Sequence, residues 1–452
     1  MALIITEIAE RFIKKLMEIF TDGEKSFGEI EEMALSECKS TAAEVVAAYI
    51  KCVDESIRNS KKSRKEAGYT VERRGDERRI QTLVGEVSFE RTYYQKTTGG
   101  YEYLADTALG IQERERVSEG VSHALCEAAK GMSYQRASEQ VESGAVSRQT
   151  VMNSLRKYEA EKEPAKEQQK IVELHIDADE DHVTMRGGKK SEVPLISVYE
   201  GIDNQGTRNM CKNIYHISEY GKKPDELWEQ ALTEAEARYD LTDAQIYLHG
   251  DGGAWIQTGL EWFPGAKFVL DKYHKNKAIR CMSTGLLDAD RRLFNKRIRN
   301  ALAIEDVEEF DQIAANLCDT LPERAEQILE SAGYLKRFIA GISICAKDPK
   351  ANNGGCTEPH VSHILSARLS SRPMAWSERT LTHFVPMLAG GKLRKCSGNP
   401  PCLPQPLQSA SACARNNFRK GGLGLPNPDA IGSLPIQGKV TGTQILLKLF
   451  AA

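Results

Sequence analysis

One stretch constrains the fold more than any other: residues 171–271, where short apolar runs alternate with a helical segment and repeatedly end in acids. Residues 171–177 form an apolar-rich run of strand length, 193–199 a second and 209–217 a third. Residues 224–239 carry Leu227, Ala231 and Ala235 at helical spacing. Residues 244–248 then read as a short buried strand leading into His249-Gly250-Asp251, and 266–270 as another ending at Asp271. Three strands able to pair side by side, a helix, and then strand-helix-strand predict a mixed sheet covered by helices, an α/β fold.

The flanks divide the rest. Residues 1–65 read as an N-terminal helical region. Its first twenty residues place Ile4, Ile5, Ile8, Phe12, Leu16 and Ile19 at helical spacing, with charges between them, which is not the pattern of a signal peptide. Residues 66–112 read as a basic β-hairpin region, alternating on both sides of Gly85 and carrying Arg73, Arg74, Arg78, Arg79 and Arg91. Those arginines fit either a solvated face or a DNA contact. Residues 113–162 resemble a helix-turn-helix: a short helix over 133–142, a break at Ser143-Gly144, then Ser147 as N-cap of a second helix running to about 158. Its first turn, Arg148, Gln149 and Thr150, would face base edges in such a motif. The polar run 159–170 reads as a linker. Residues 163–271 are then the first part of the core and 272–354 a helical insertion, basic at first (Lys272, Lys275, Arg280, Arg292, Arg299) and acidic after Glu305. Residues 355–385 supply the last core helix, over 357–370. Residues 386–452 form a basic Pro/Gly-rich tail; between Arg379 and Pro428 there are seven Lys or Arg and no Asp or Glu. This order of core elements is that of the RNase H-like fold.

Composition limits the partners only weakly. The net charge is -3 over 452 residues, so a nucleic-acid claim has to rest on local patches. The 11 cysteines form no CxxC pair, which predicts reduced thiols in a cytoplasmic protein and argues against structural zinc. A zinc hydrolase using His175, His182 and His249 lacks the HExxH spacing. No run of 18 apolar residues predicts a membrane span.

Phosphodiester transfer with two divalent ions requires carboxylates that converge on one point. Asp177 ends the first strand inside the acid-rich run Asp177-Ala178-Asp179-Glu180-Asp181. Asp179 shares a strand face with it and is the alternate. The competing reading is a polar turn. Asp251 follows the buried strand at 244–248 between glycines, where it could equally be a helix cap. Glu358 opens the last core helix, a place where an acid is ordinary because it complements the helix dipole.

The His175-to-Val183 run, the Gly250-to-Ile256 segment and the Glu358-to-Ser366 run followed by Ser370-Ser371-Arg372-Pro373-Met374 together resemble the ISLre-type insertion-sequence transposases. More distantly the chain is similar to Mutator-like DDE transposases. The likeness runs from about Tyr69 to the end. It implies a bacterial insertion-sequence DNA transposase, with Asp177, Asp251 and Glu358 as catalytic and metal-binding acids and two Mg²⁺ (or Mn²⁺) ions as cofactors. It also implies double-stranded DNA, both terminal repeats and target, as partner, with a homodimer or larger assembly on it. Asp177 and Asp251 lie 74 residues apart, and Asp251 and Glu358 lie 107 apart, room for the helical insertion. Asp271-Lys272-Tyr273-His274 fits the acid-x-x-His of those relatives. His274, His360, His363, Arg368 and Arg372 are then candidate DNA contacts. Pro359 stands where the family is expected to have Gly; proline is tolerated in a first helical turn, so the helix should survive. The alternatives are an RNase H-like nuclease or resolvase without strand transfer, and a non-catalytic DNA-binding relic.

Overall fold

The computed structural model describes residues 2–142, 145–161, 168–203, 210–352 and 354–395, together with Pro404, Gln405, Leu407 and Gln408. The chain divides into two compact units: residues 1–125 with 138–146 and 397–452, and residues 126–137 with 147–396.

In the first unit, helices span Ala2–Thr21 and Phe27–Asn59, the second opened by a capping box between Ser26 and Glu29. The expected hairpin is present: strands Tyr69–Thr82 and Gly85–Lys96 pair antiparallel, with Thr82 opposite Gly85 at the turn. Gly85 has φ +107°, a conformation that costs glycine little. The hairpin arginines are mostly committed. Arg78 and Arg91 are largely buried and converge on the Asp106 carboxylate. Arg73 pairs with Asp76, and Arg79 with Glu77. Arg74 remains exposed. A DNA-contacting hairpin face is therefore much smaller than five arginines suggest.

Both short helices of the proposed helix-turn-helix exist, Tyr134–Glu142 and Arg148–Leu155, and Ser147 caps the second through the Thr150 N–H. Residues 143 and 144 of the turn lie outside the described residues. The second helix stops three residues early, because Tyr158–Glu161 pairs as a strand with Lys392–Lys395. Part of the expected linker is thus strand, and Gln169–Lys170 also pairs, with Tyr239–Asp240. Most of the tail expected at 386–452 falls outside the described residues, but its first part is ordered. It continues the helix Glu378–Leu388, capped by Ser377, and then forms that strand.

The second unit is built on a mixed five-stranded sheet. Its strands are β1 (Glu173–Thr184), β2 (Lys190–Tyr199), β3 (Tyr215–Ile217), β4 (Gln245–Gly250) and β5 (Lys267–Leu270), in the spatial order β3-β2-β1-β4-β5. β2 runs antiparallel to β1 and β3 antiparallel to β2, whereas β4 is parallel to both β1 and β5. β1 is longer than the expected 171–177, because its alternation continues through the acid run. The third strand is shorter than 209–217; Met210–Cys211 pairs instead with Ile202–Asp203. Helix α1 (Pro224–Arg238) lays Leu227, Trp228, Ala231 and Ala235 over one face of the sheet, against Leu174, Ile176, Ala178, Ile196 and Val198. Full burial of each large side chain contributes about 1.5–3 kcal/mol, so this layer fixes the register of β1.

Beyond β5 the helical insertion comprises α2 (Lys272–Ser283), α3 (Asp288–Ile304), α4 (Val307–Thr320), α5 (Ala325–Arg337) and α6 (Ile339–Lys347). Ile279, Met282, Ile298, Leu302, Phe310, Ile313 and Leu335 form its own core. The last core helix, α7, runs from Thr357–Val361 through a π-helical segment at Ser362–Ser366 to Ala367–Leu369. Pro359 sits in its first turn without breaking it. Among the described residues, no helix is long and apolar enough to cross a membrane.

Candidate metal centre

Because side chains alternate along a strand, β1 sends Leu174, Ile176 and Ala178 into the apolar layer and His175, Asp177, Asp179 and Asp181 to the opposite face. All four of the latter are buried. Buried acids need donors or cations, and the three differ sharply in what they have.

Asp177 is fully engaged by the protein. Its carboxylate takes the Tyr199 hydroxyl at 3.0 Å and the Cys356 backbone N–H at 2.9 Å. His360 Nδ1 lies 3.1 Å from the same Oδ2, close enough to pair though off the line of a good hydrogen bond. Burial alone would raise this carboxyl; His360, His249 and Tyr199 outweigh it and hold its pKa below the ordinary value. Beside it the buried rings of His175 and His249 share a hydrogen bond, Nδ1 to Nε2, of 2.9 Å. Gly354 packs on that pair so closely that a Cβ would stand 2.3 Å from His175 Nδ1. Asp177 is therefore a fixed joint between β1 and the start of α7. Asp181 accepts the Ser366 and Ser370 hydroxyls through Oδ1, at 3.0 and 2.8 Å, and its buried Oδ2 has no hydrogen-bond partner among the described residues.

Asp179 has the fewest donors of the three: among the described residues its carboxylate accepts one hydrogen bond, from the backbone N–H of Glu180 at 2.9 Å. Burial pushes its carboxyl up to about 7, and the charges of Glu180 and Asp251 act in the same direction. The parallel register explains the second of these. His249 on β4 stands opposite Asp177 as the last pair of that ladder, and Asp251 follows two residues later, just past the end of β4, where its charge acts on Asp179. The charge of Asp251 thus bears on Asp179, the alternate, while Asp177 is engaged by Tyr199, Cys356 and His360.

The insertion fixes the loop that carries Asp251. Tyr334 on α5 donates its hydroxyl to the Asp251 carbonyl at 2.7 Å, and Asp251 Oδ1 accepts the Gly253 N–H at 2.7 Å. Gly252, at φ +89°, lies under the Phe338 ring, where a Cβ would come within 2.2 Å. Asp271 caps α2 and takes both the backbone N–H and Nδ1 of His274 at 3.0 Å. Its hydrogen bond raises the His274 pKa, with Asp179 and Asp251 adding to the shift. The three carboxylates of Asp271, Asp179 and Asp251 thus all favour the protonated form of His274.

Glu358 occupies the first turn of α7, two residues after the Cys356 N–H that binds Asp177. It is exposed, and its carboxylate has no hydrogen-bond or ion-pair partner among the described residues. The other predicted contacts separate. Arg148, Gln149, His363 and Arg372 are exposed, and Thr150 is half-buried. His360 is committed to Asp177 and, at 3.6 Å, to the Cys211 thiol. Arg368 is not available to a phosphate: it is buried, donates to the Ala129 carbonyl at 2.7 Å and stacks between Tyr134, Trp376 and Phe384. Sequence reasoning missed Tyr199, Tyr334 and Phe338, which act by contact across long sequence separations. On the opposite face of β1, Glu180 and His182 with Glu192 of β2 bring three ligand atoms within 4.8 Å of one another.

Fold and side chains together define a mixed α/β protein with an acidic cluster formed midway along one strand and just past the end of its parallel neighbour. The chain belongs to the uncharacterised protein family UPF0236, whose model matches residues 20–396. It is 34% identical over 406 residues, 87% of this chain and 85% of the relative, to a UPF0236 protein of Caldanaerobacter subterraneus subsp. tengcongensis whose name joins eleven loci of that genome. A second relative there, 33% identical over the same length and the same shares, joins four loci. A UPF0236 protein in the vanSb 3′ region of Streptococcus gallolyticus is 28% identical over 280 residues, 59% of each chain.

Proposed function

We propose that this chain is a DDE-type DNA transposase of a bacterial insertion sequence, with Asp179, Asp251 and Glu358 as its three acids and Asp177 as a positioning residue. The observation that carries the reading is the electrostatic pairing of buried Asp179, midway along β1, with Asp251, just past the end of the parallel strand β4, together with the exposed carboxylate of Glu358 on the helix tied to β1 through Asp177. The strand order β3-β2-β1-β4-β5, with β4 and β5 parallel to β1, is the order of an RNase H-like core and supports it. So does the multiplicity of near relatives within one genome, which suits a mobile element.

The donor set fits a pair of hard divalent cations. Among the described residues Asp179 is buried with one hydrogen bond and is repelled by Asp251, a carboxylate short of positive charge. Mg²⁺ or Mn²⁺ ions held by Asp179, Asp251 and Glu358 would supply Lewis acidity to the attacking and leaving oxygens of a phosphodiester. The chain does the rest. Tyr334 and Phe338 fix the Asp251 loop, Asp177 holds the start of α7, and Asp271 orients His274 toward the acids. Rigid placement of this kind is what in-line displacement by water, and then by the freed 3′-OH, requires.

The test uses purified full-length protein, labelled duplex ending at an element boundary, a second duplex as target, and Mg²⁺ or Mn²⁺. The expected products are a nick exposing a 3′-OH at the boundary and its joining to the target. Cleavage without joining would reduce the protein to a nuclease, and binding without cleavage to a relic.

A further inference from the structure

The start of the insertion holds a second feature that the acid cluster does not use. Helices α2, α3 and α6 enclose a cavity of about 370 Å³. Its polar lining is Lys272, Lys275, Asn276 and Arg299, over an apolar floor that includes Ile279 and Leu302; no carboxylate lines it.

The three cations differ in exposure: Lys272 and Arg299 are exposed and Lys275 is half-buried. The Lys275 ammonium has no hydrogen-bond or ion-pair partner among the described residues. Burial lowers its pKa most; Cys345 opposes that, Lys272 and Arg299 add to it, and Asp271 opposes it least. The Arg299 guanidinium reaches Asn276 Oδ1 at 3.5 Å, a long contact. Lys272 rests on the Gly354 and Asn352 carbonyls at 3.2 and 3.5 Å. Ordinary surface lysines lay their stems on apolar surface and send the head into water. Here the half-buried Lys275 shares a recess with the exposed Lys272 and Arg299, so an anion seated there would meet three cations at once.

We propose that this recess is a phosphate-binding pocket that holds one backbone phosphodiester of duplex DNA beside the acid pair. This rests on the DNA reading above and adds to it a specific, sequence-independent anchor. Lys272 directly follows Asp271, so a strand phosphate seated here would lie next to the helix that presents His274. Side chains of this kind fix the register of the duplex without reading bases.

The experiment compares wild type with Lys275→Met, Arg299→Gln and Lys275→Arg, each as the full chain. It measures binding of a labelled duplex of arbitrary sequence across a salt series, in EDTA. Loss of one phosphate contact should shrink the slope of log K against log salt by about 0.9. Lys275→Met and Arg299→Gln should each show this with weaker binding, and Lys275→Arg should restore it. Thermal unfolding of the free Lys275→Met protein should be unchanged or raised, since a crowded charge is removed; weaker binding in a less stable protein would point to misfolding and overturn the proposal. An unaltered slope, or no duplex binding by wild type, would also overturn it. Because EDTA removes catalysis, the two readings fail separately. An altered slope in a protein that never cuts DNA would leave the pocket standing and sink the transposase; cutting with an unaltered slope would do the reverse.

Discussion

Replacing Asp179 by Asn should make the metal-free protein more stable while removing its metal response. The folded chain raises this carboxyl from 3.8 to about 7, mainly by burying it. An acid whose pKa is raised on folding penalises the folded state above the folded value, and the penalty fades as pH falls through it. Three units at 1.36 kcal/mol each set an upper bound of about 4 kcal/mol; screening and relaxation bring the expected gain to about 1–3 kcal/mol. Asn keeps the acceptor for the Glu180 N–H, so little is lost in exchange. Urea unfolding in EDTA should therefore show Asp179→Asn ahead of wild type at pH 8, with the difference shrinking by pH 5. Adding Mn²⁺ should reverse the order, since a ligand at 100 times its Kd stabilises by about 2.7 kcal/mol and the variant has lost a ligand atom. A variant less stable than wild type at pH 8, or a Mn²⁺ shift equal in both, would refute the reasoning.

Three further outcomes follow from the same geometry. Asp177→Asn, which mismatches donors from Tyr199, Cys356 and His360, should destabilise by about 2–4 kcal/mol in the same unfolding assay, the opposite sign to its neighbour two residues on. Gly354→Ala drives a methyl into the His175–His249 pair and should cost about 1–3 kcal/mol or more, read as a fall in Tm; a neutral result would mean that the pair yields easily. His216 and His249 are held at about 4 by burial, so each contributes stability that is full above 6.5 and is lost as pH falls toward 4, about 2 kcal/mol apiece by pH 5. Relief of the Asp179 penalty runs against that loss, so the acid sensitivity should be steepest in the Asp179→Asn background.

The sheet was legible because its strands alternate or run apolar within short limits, and α1 because Leu227, Ala231 and Ala235 repeat at helical spacing. What stayed hidden was register. The acid run 177–181 reads as the end of a strand until the partner strands are known; Ser197 and Val193 on β2 show that pairing continues through it. Only that continuation, with the β4 offset, separates Asp179 from Asp177. Arg368 illustrates the converse limit, since a lone arginine in the last turn of a helix looks like a phosphate contact. Its burial depends on Tyr134 and Trp376, which no local pattern connects to it. The hairpin arginines misled for the same reason, their partner Asp106 lying beyond the hairpin.

The most direct measurement is anomalous diffraction from crystals of the full chain grown with Mn²⁺ near pH 8 and a duplex end. Two peaks about 3.5–4 Å apart, bridged by Asp179 and bounded by Asp251 and Glu358, are the predicted result. Manganese found only at Glu180, His182 and Glu192 on the other face of β1, or nowhere near Asp251, would contradict it.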